Sequence, residues 1–219
     1  MNIYINNFLK FPLFYRLYQR IIRKKFDDYD FFEFFFKKLN KKKKKIKVLD
    51  LCCGDSFILG YINPYIFKYL GFDNNSLYLN SGKKRWRRHS FKFFDFSQIN
   101  KLKKEINFYP DVIFLNGVIH HFDDYKIKVL NNFIKNNFPK SIFLSADPIR
   151  FNNNFINTLM IKFDRGRFIR TLKSYKFLMK NYNFLISDLF FRVNFKLIFH
   201  YKNVDLKFLY NLWKSKLII

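Results

Sequence analysis

Cysteine and long apolar runs are scarce in this chain of 219 residues, and their scarcity excludes several classes of protein. The two cysteines are adjacent, at Cys52 and Cys53, so they offer no disulfide framework and indicate a reduced, cytoplasmic protein. No spaced set of cysteines and histidines indicates zinc, and we expect no bound metal. No apolar run approaches the roughly 18 residues that a membrane span needs. The N-terminal stretch, interrupted by Asn2, Asn6 and Asn7, lacks a signal-peptide pattern.

Positive charge is in large excess, with 42 Lys and Arg against 16 Asp and Glu and a formal net charge of +26. Such a charge suits nucleic acid or an anionic membrane. The composition also favours Lys, Asn, Phe, Ile and Tyr, whose codons are AT-rich, while Ala146 is the only alanine. A biased genome would produce a lysine-rich surface without a polyanionic partner. The charge is therefore weak evidence for RNA. The length suits one domain with a sizeable core.

The stretch from Ile46 to Gly60, IKVLDLCCGDSFILG, reads as a strand, a tight turn and the start of a helix. An apolar run, Ile46–Leu51, leads into the small residues of Cys52–Ser56. Small residues let a ligand approach the backbone, and the N-terminus of a following helix offers unpaired N–H groups. This order predicts a nucleotide-binding βα unit.

Further short apolar segments end in polar residues at regular intervals. After the first predicted strand, Ile46–Leu51, the second, third and fourth end in Asp73, in Asp95 and in Asn116-Gly117. A fifth predicted strand covers 140–148. In nucleoside sites an acidic residue roughly 20 positions after the turn binds the ribose hydroxyls. Asp73 stands at that distance from the turn.

Four segments, VLDLCCGDS, GFDNNS, FFDF and DVIFLNGVIHHFDD, resemble successive motifs of the class I S-adenosylmethionine-dependent methyltransferases. The resemblance covers about 46–148 and continues more weakly through DRGRFIR, which resembles a segment of small-molecule methyltransferases of bacterial polysaccharide and lipid gene clusters. Of the glycines in the family's first motif, Asp-x-Gly-x-Gly-x-Gly, Gly54 is kept, and Cys52 and Ser56 replace two others. The resemblance implies S-adenosylmethionine as the cofactor. The cofactor-binding residues that it implies are Asp50, Cys52, Gly54, Ser56, Asp73, Asn74, Asp95, Phe96, Asn116 and Gly117. For Asp95 the alternative is a cap on the next turn.

The fold that the resemblance implies is α/β, with a doubly wound, mostly parallel seven-stranded sheet and helices on both faces. Residues 1–40 read as an N-terminal helical extension that contains two helices, one around 14–22 and one over Tyr29–Leu39. These helices either lie over the cofactor cleft or only cover an edge of the sheet.

The remainder, 41–219, is predicted to be the S-adenosylmethionine-binding methyltransferase domain. It includes a lid-like insertion at about 149–170. The segments Phe184–Phe191 and Phe195–Tyr201 are predicted to form an antiparallel closing hairpin, with a turn near Val193-Asn194.

His120, His121 and Asp147 are the predicted catalytic residues. The histidines follow the fourth strand, where the resemblance places the sulfonium of the methyl donor. Either one could serve as general base, because a histidine near its ordinary pKa takes a proton from a hydroxyl at neutral pH. Alternatively, one of them fixes the loop by hydrogen bonding. Asp147, at the end of the fifth strand, is expected to contact substrate or to act as the base.

The substrate-binding residues are expected to be Arg165, Arg167 and Arg170, because arginines on a loop suit carboxylate or phosphate recognition. The alternative is surface ion pairing with Asp164.

Two basic segments carry functional alternatives. Arg85–His89, read as RWRRH, could bind a strand of nucleic acid by stacking and charge, or could be a solvated helix terminus. Lys41–Lys45 could contact phosphates, or could be a solvated loop before the first strand.

The predicted function is methyl transfer from S-adenosylmethionine, by direct displacement, to a small-molecule, glycan or lipid-intermediate acceptor. An RNA methyltransferase is the alternative that the basic composition suggests. It is not favoured, because the fourth strand is followed by NGVI and not by the Asn/Asp-Pro-Pro-aromatic signature of many amino-directed nucleic-acid methyltransferases. A catalytically degenerate member of the fold that binds a nucleoside or a protein is a third alternative, raised by Cys52 and Ser56.

Overall fold

The computed structural model describes residues 11, 13, 17, 28–40, 45–60, 67–151, 158, 161–162, 164, 166–187 and 196–215. Several predictions fall wholly or mostly outside these residues. They concern the helix around 14–22, the lysines 41–44, most of the insertion between 152 and 163, Arg165, and the turn near Val193-Asn194.

Seven strands form one sheet in the part of the chain that the structure describes, in the order β3-β2-β1-β4-β5-β7-β6. They are β1 Ile46–Leu51, β2 Phe67–Asp73, β3 Ser90–Phe93, β4 Val112–Asn116, β5 Ile142–Pro148, β6 Asn183–Ser187 and β7 Leu197–Lys202. Strands β1 to β5 pair in parallel, and β7 runs antiparallel to both β5 and β6. The central strands β1 and β4 are buried almost throughout, as expected for parallel strands covered on both faces. The predicted mostly parallel, seven-stranded α/β fold and its closing hairpin are confirmed.

Helices cover both faces of the sheet. The described α-helices are α1 Asp28–Asn40, α2 Ser76–Arg85, α3 Leu102–Glu105, α4 Asp124–Asn137, α5 Leu172–Leu178 and α6 Leu206–Ser215. The side chains of Asn75, Asp123 and Thr171 cap α2, α4 and α5 by accepting backbone N–H groups of the first turn. Within the described residues, no helix is long and apolar enough to span a bilayer.

The segment after β1 is a 3-10 helix, Phe57–Gly60. The sequence predicted the start of a helix here, and the chain after Gly60 lies outside the described residues as far as 66.

The core is divided between the two faces of the sheet. Val48 and Phe114 point to the face covered by α1, α6 and the 3-10 helix Phe57–Gly60. Their neighbours Leu49 and Ile113 point to the opposite face, which α4 and α5 cover. Successive side chains of a strand alternate between faces, so a single apolar run supplies both halves of the core.

Helix α1 lies against the sheet and not over the cleft. Its buried side chains are Phe31, Phe32, Phe35 and Phe36. The ring of Phe32 meets that of Phe114 edge-on at 4.8 Å, and the ring of Phe36 meets that of Phe67 at 5.1 Å. Edge-to-face pairs stabilise by about 0.5–1.5 kcal/mol each beyond their burial. The described helix packs on a face of the sheet that includes the central strand β4, where the expected packing was at an edge.

Candidate functional site

A cavity of about 410 Å³ opens at the carboxyl edge of the sheet, where β1, β2 and β4 end. Pockets for small ligands typically measure roughly 300–1,000 Å³, and open α/β sheets bind ligands at this edge. Three segments form the wall: the turn after β1, the start of α2, and the loop after β4. The lining residues are Asp50, Cys52, Cys53, Gly54, Asp55, Phe57, Ile58, Asp73, Asn74, Asn75, Tyr78, Phe114, Asn116, Gly117, Val118, His121 and Phe122.

The turn after β1 has left-handed backbone at every second residue. The φ angles of Cys52, Gly54 and Ser56 are +60°, +57° and +54°. A residue other than glycine in this conformation is strained by roughly 1–2 kcal/mol. Cys52 and Ser56 therefore keep a glycine-like backbone at two positions where the family motif has glycine. The nearest atom to a Cβ built on Gly54 belongs to Tyr78, at 4.0 Å, so a ligand has room beside the turn.

Asp73, at the end of β2, connects this turn to α2. Its Oδ2 accepts the N–H of Gly54 at 2.8 Å, and its Oδ1 accepts the N–H of Asn75 at 2.8 Å. A carboxylate has about four lone-pair sites. The two backbone bonds fix the orientation of the group, which lines the cavity.

A buried hydrogen-bonded chain of Asp50, Tyr69 and Ser56 supports the turn from below. The Tyr69 hydroxyl donates to Asp50 Oδ2 at 2.5 Å and lies 2.7 Å from the Ser56 hydroxyl. Burial raises the pKa of Asp50 to about 8, while the Tyr69 hydrogen bond opposes this shift and the charge of Asp73 adds to it. Burial also raises the pKa of Tyr69. Ser56 does not line the cavity, so it acts on the site through Tyr69 and the backbone of the turn.

The loop after β4 brings further predicted residues to the cavity. Asn116 and Gly117 lie in the wall, as does Asn74 from the β2 side. Gly117 has φ of +69°, and its N–H donates to the Ala146 carbonyl of β5 at 2.7 Å.

Asp95 and Phe96, in contrast, lie outside the cavity wall. Asp95 is exposed and caps the 3-10 helix Phe96–Lys101, accepting the N–H of Ser97 at 2.8 Å. This hydrogen bond lowers the pKa of Asp95. Phe96 packs at 4.3 Å against the ring of Phe122, which does line the cavity. The geometry favours a capping role for Asp95, and a direct cofactor contact by either residue stays a prediction.

His120 is buried between two carboxylates. Its Nδ1 is 2.8 Å from Asp147 Oδ1, and its Nε2 is 3.2 Å from Asp164 Oδ1. Burial alone would lower the pKa of His120, but the hydrogen bonds and charges of Asp147 and Asp164 more than offset it and raise the pKa to about 9. An imidazolium with both nitrogens bonded cannot accept a proton at neutral pH. The geometry therefore favours a positioning role for His120 and Asp147 over the predicted catalytic role.

His121 is exposed on the cavity wall, although its ring centroid is only 4.3 Å from that of His120. The 3-10 turn Ile119–His121 separates the two side chains, burying the first and leaving the second at the cavity. Of the three predicted catalytic residues, His121 is the one that lines the cavity. In the described part of the chain, no three His, Cys, Asp or Glu side chains are grouped to hold a metal ion.

The described residues of 164–170 pack onto the His120 loop. The N–H of Gly166 donates to Asp164 Oδ1 at 2.5 Å, and the N–H of Phe168 donates to the His120 carbonyl at 2.9 Å. A Cβ on Gly166 would overlap the His120 ring. His120 lowers the pKa of Asp164 against the opposing effect of burial. Asp164 therefore pairs with His120, where an ion pair with a neighbouring arginine was the expected alternative.

Arg170 is buried and joins this segment to α4. Its Nη2 donates to Asp124 Oδ1 and to the Phe122 carbonyl, both at 2.7 Å, and its Nη1 donates to the Phe168 carbonyl at 2.9 Å. Because most of its donors are engaged by the protein, the geometry favours a structural role over the predicted contact with substrate. Arg167 is exposed.

The sequence matches a known family over most of its length. Residues 42–190 match the model described as a methyltransferase domain. The chain belongs to the methyltransferase-domain family. No curated protein sequence matches it.

Solved methyltransferase structures share the fold of this chain. The CurJ carbon methyltransferase superposes with a TM-score of 0.56 and 13% identity, over 79% of this chain and 53% of that one. Human N-acetylserotonin methyltransferase in complex with SAM gives a TM-score of 0.52 and 17% identity, over 72% and 48%. The plantazolicin methyltransferase BpumL in complex with SAH superposes with a TM-score of 0.56 and 16% identity, over 80% of this chain and 82% of that one. The chain thus spans about half the length of the first two and most of the third.

These findings confirm the resemblance to methyltransferases, through the family model and the shared fold. Two of the solved structures are complexes with SAM or SAH. At these identities the structural likeness itself shows the fold alone.

Sequence reasoning missed several residues that line or support this cavity. Tyr69 has no local motif, because its hydrogen-bond partners lie 13 and 19 positions away in the chain. Tyr78 and Asn75 line the cavity from the first turn of α2 and its cap. Their proximity to Asp73 was a usable signal, since the start of a helix that follows a site strand faces the same edge of the sheet.

Proposed function

We propose that this methyltransferase binds S-adenosylmethionine in the cavity at the ends of β1, β2 and β4. Its acceptor would be a small molecule, a glycan or a lipid intermediate. The observation that carries the proposal is the 2.8 Å hydrogen bond from Gly54 N–H to Asp73 Oδ2. This bond holds an open, left-handed turn and an oriented carboxylate beside one cavity.

The residues present fit a nucleoside with a charged tail. Asp73 would accept the ribose hydroxyls, and the backbone around Gly54 would lie against the rest of the cofactor. Ile58, Val118 and Phe122 give part of the wall an apolar surface suited to a heterocycle. When bound, S-adenosylmethionine supplies an electrophilic methyl group, which a single displacement delivers to a nucleophile.

His121 would act on the acceptor side. It lies on the wall beside Asn116 and Gly117, next to the loop held in place by the buried His120. It would take the proton that an acceptor hydroxyl or amine loses during attack. Positioning and the exclusion of water by the walls supply the rest of the catalysis.

The charges of the cavity favour a small acceptor over a polyanion. Asp55 and Asp73 line it, and no lysine or arginine is among its described lining residues. Two of the structural neighbours are named N-acetylserotonin methyltransferase and plantazolicin methyltransferase. The degenerate alternative loses its main support, because Cys52 and Ser56 hold the backbone that glycine would adopt.

Transfer of a labelled methyl group from S-adenosylmethionine into a cell extract would test the proposal. We expect label in low-mass or lipid-extractable products, and none above background with the Asp73→Ala variant. Label recovered in RNA would contradict the proposed acceptor class.

The His121→Gln variant would test the base. General base catalysis contributes about 10²–10⁴-fold, so kcat should fall by that range while cofactor affinity stays within a few-fold. The variant should also lose the acidic limb of the pH–rate profile, which a merely structural histidine would leave in place. An unchanged profile would remove His121 from this role.

A further inference from the structure

A second cavity, of about 380 Å³, lies at the opposite edge of the sheet from the cofactor cavity. Its lining residues include Lys45, Phe67 and His89, which stand at the starts of β1, β2 and β3. Because these strands are parallel, their starts and ends lie at opposite edges. The seven residues of β2 separate the two edges by roughly 20 Å at about 3.3 Å per residue.

Five cationic side chains surround this cavity, and no acidic residue is among its described lining. Lys84 and Arg85 come from the last turn of α2, Arg87 and Arg88 from the turn that follows, and Lys45 from the chain before β1. All five are exposed. Lysines and arginines are abundant throughout the chain. These five, however, are grouped around one concave site that also has aromatic side chains in its lining.

Two residues that line this cavity each have a buried ring nitrogen with no hydrogen-bond partner among the described residues. The two nitrogens are Trp86 Nε1 and His89 Nε2. A buried polar atom left unpaired costs free energy comparable to a lost hydrogen bond, so such atoms are rare without a ligand or water. Trp86 Nε1 can only donate, so a ligand that pairs with it must supply an acceptor, which a base carbonyl or a phosphate oxygen can do.

We propose that this cavity binds a segment of single-stranded nucleic acid, with phosphates on the surrounding arginines and lysines and one base against Trp86. The cations suit phosphates, and the aromatic side chains of Phe67 and Trp86 in the lining suit a base better than a phosphate alone. Stacking on an aromatic ring and charge along a groove together are the usual means of binding single strands. The inference is independent of the proposed function, because the two cavities share no lining residue.

The test is fluorescence titration of the full chain with an oligouridylate of about twelve nucleotides, within the usual site size of one domain. The chain has two tryptophans, and Trp213 is buried at 5% exposure, so quenching by a stacked base reports on Trp86. We expect quenching that disappears in the Trp86→Phe variant. The Arg87→Gln/Arg88→Gln double variant should weaken binding by about ten-fold or more and reduce the slope of log affinity against log salt by about 1.4.

The matched control removes two exposed lysines from the other face of the sheet, Lys128→Gln/Lys180→Gln. It changes the net charge by the same amount and should leave affinity within two-fold. Equal losses in the two double variants would show general charge attraction and overturn the site. Absence of binding at low salt, or binding that leaves Trp86 fluorescence unchanged, would overturn it as well. Calorimetry with S-adenosylmethionine on the same variants should show unchanged cofactor affinity, which separates this test from that of the proposed function.

Discussion

The buried contact of His120 with Asp147 and Asp164 predicts a stability that falls as pH rises through the alkaline range. The pKa of His120 is raised from 6.5 to about 9. A group whose pKa is raised in the folded state stabilises the fold fully below its unfolded pKa, and the contribution is lost as pH rises through the folded pKa. One pKa unit corresponds to 1.36 kcal/mol, so the protonated histidine stabilises the fold by roughly 3 kcal/mol near pH 6. Little of that remains above pH 9.

The His120→Gln variant isolates this contribution, because an amide does not titrate. We expect urea unfolding to show that the variant is less stable than wild type near pH 6. This difference should shrink by about 3 kcal/mol as pH rises above 9. Asp50 also has a raised pKa and lowers stability as pH rises, but this effect is common to both proteins and cancels in the difference. His89→Gln is the control, since the pKa of His89 is lowered by burial and by Lys45 and lies outside this window. A pH-independent difference between wild type and His120→Gln would refute the assignment of a charged His120.

Two further substitutions test the packing of the site, with urea unfolding as the measurement. Gly166→Ala should destabilise by about 1–3 kcal/mol, because its Cβ would overlap the His120 ring, whereas Gly60→Ala, whose Cβ would meet Trp86 at 3.7 Å, should cost little. Equal effects of the two would contradict the described docking of 164–170. Cys52→Gly should be neutral or stabilising by up to about 1 kcal/mol, because it relieves left-handed strain at φ of +60°, while Cys53→Gly should destabilise. A Cys52→Gly variant that loses as much stability as Cys53→Gly would show that the turn is unstrained.

Regular features of the methyltransferase could be predicted from local sequence. The apolar run Ile46–Leu51 has the bounds of β1, and Asp73 and Asn116 stand at the ends of β2 and β4 as predicted. These features follow from strand periodicity and from the rule that parallel strands end at one edge, both of which a short window of sequence contains.

The distinction between supporting and lining residues could not be predicted in the same way. Arg170 reads as an exposed loop arginine, but its partner Asp124 lies 46 positions away. His120 and His121 are adjacent and chemically identical, and only the turn that carries them decides which one is buried. Asp95 stands in a family motif, and the sequence left a cofactor contact and a cap as alternatives; in the fold its carboxylate accepts the Ser97 N–H at the start of the following 3-10 helix. In each case a contact formed by the folded chain decided the role.

The central claim is that a nucleoside cofactor binds beside Gly54 with its sugar at Asp73, and isothermal calorimetry with S-adenosylmethionine tests it most directly. Two hydrogen bonds to a charged acceptor contribute at least about 3 kcal/mol, so Asp73→Ala should weaken binding by about 100-fold or more. Asp95→Ala, at an exposed cap outside the cavity, should leave affinity within a few-fold. Absence of binding by the folded wild-type protein, or unchanged affinity in Asp73→Ala, would contradict the account.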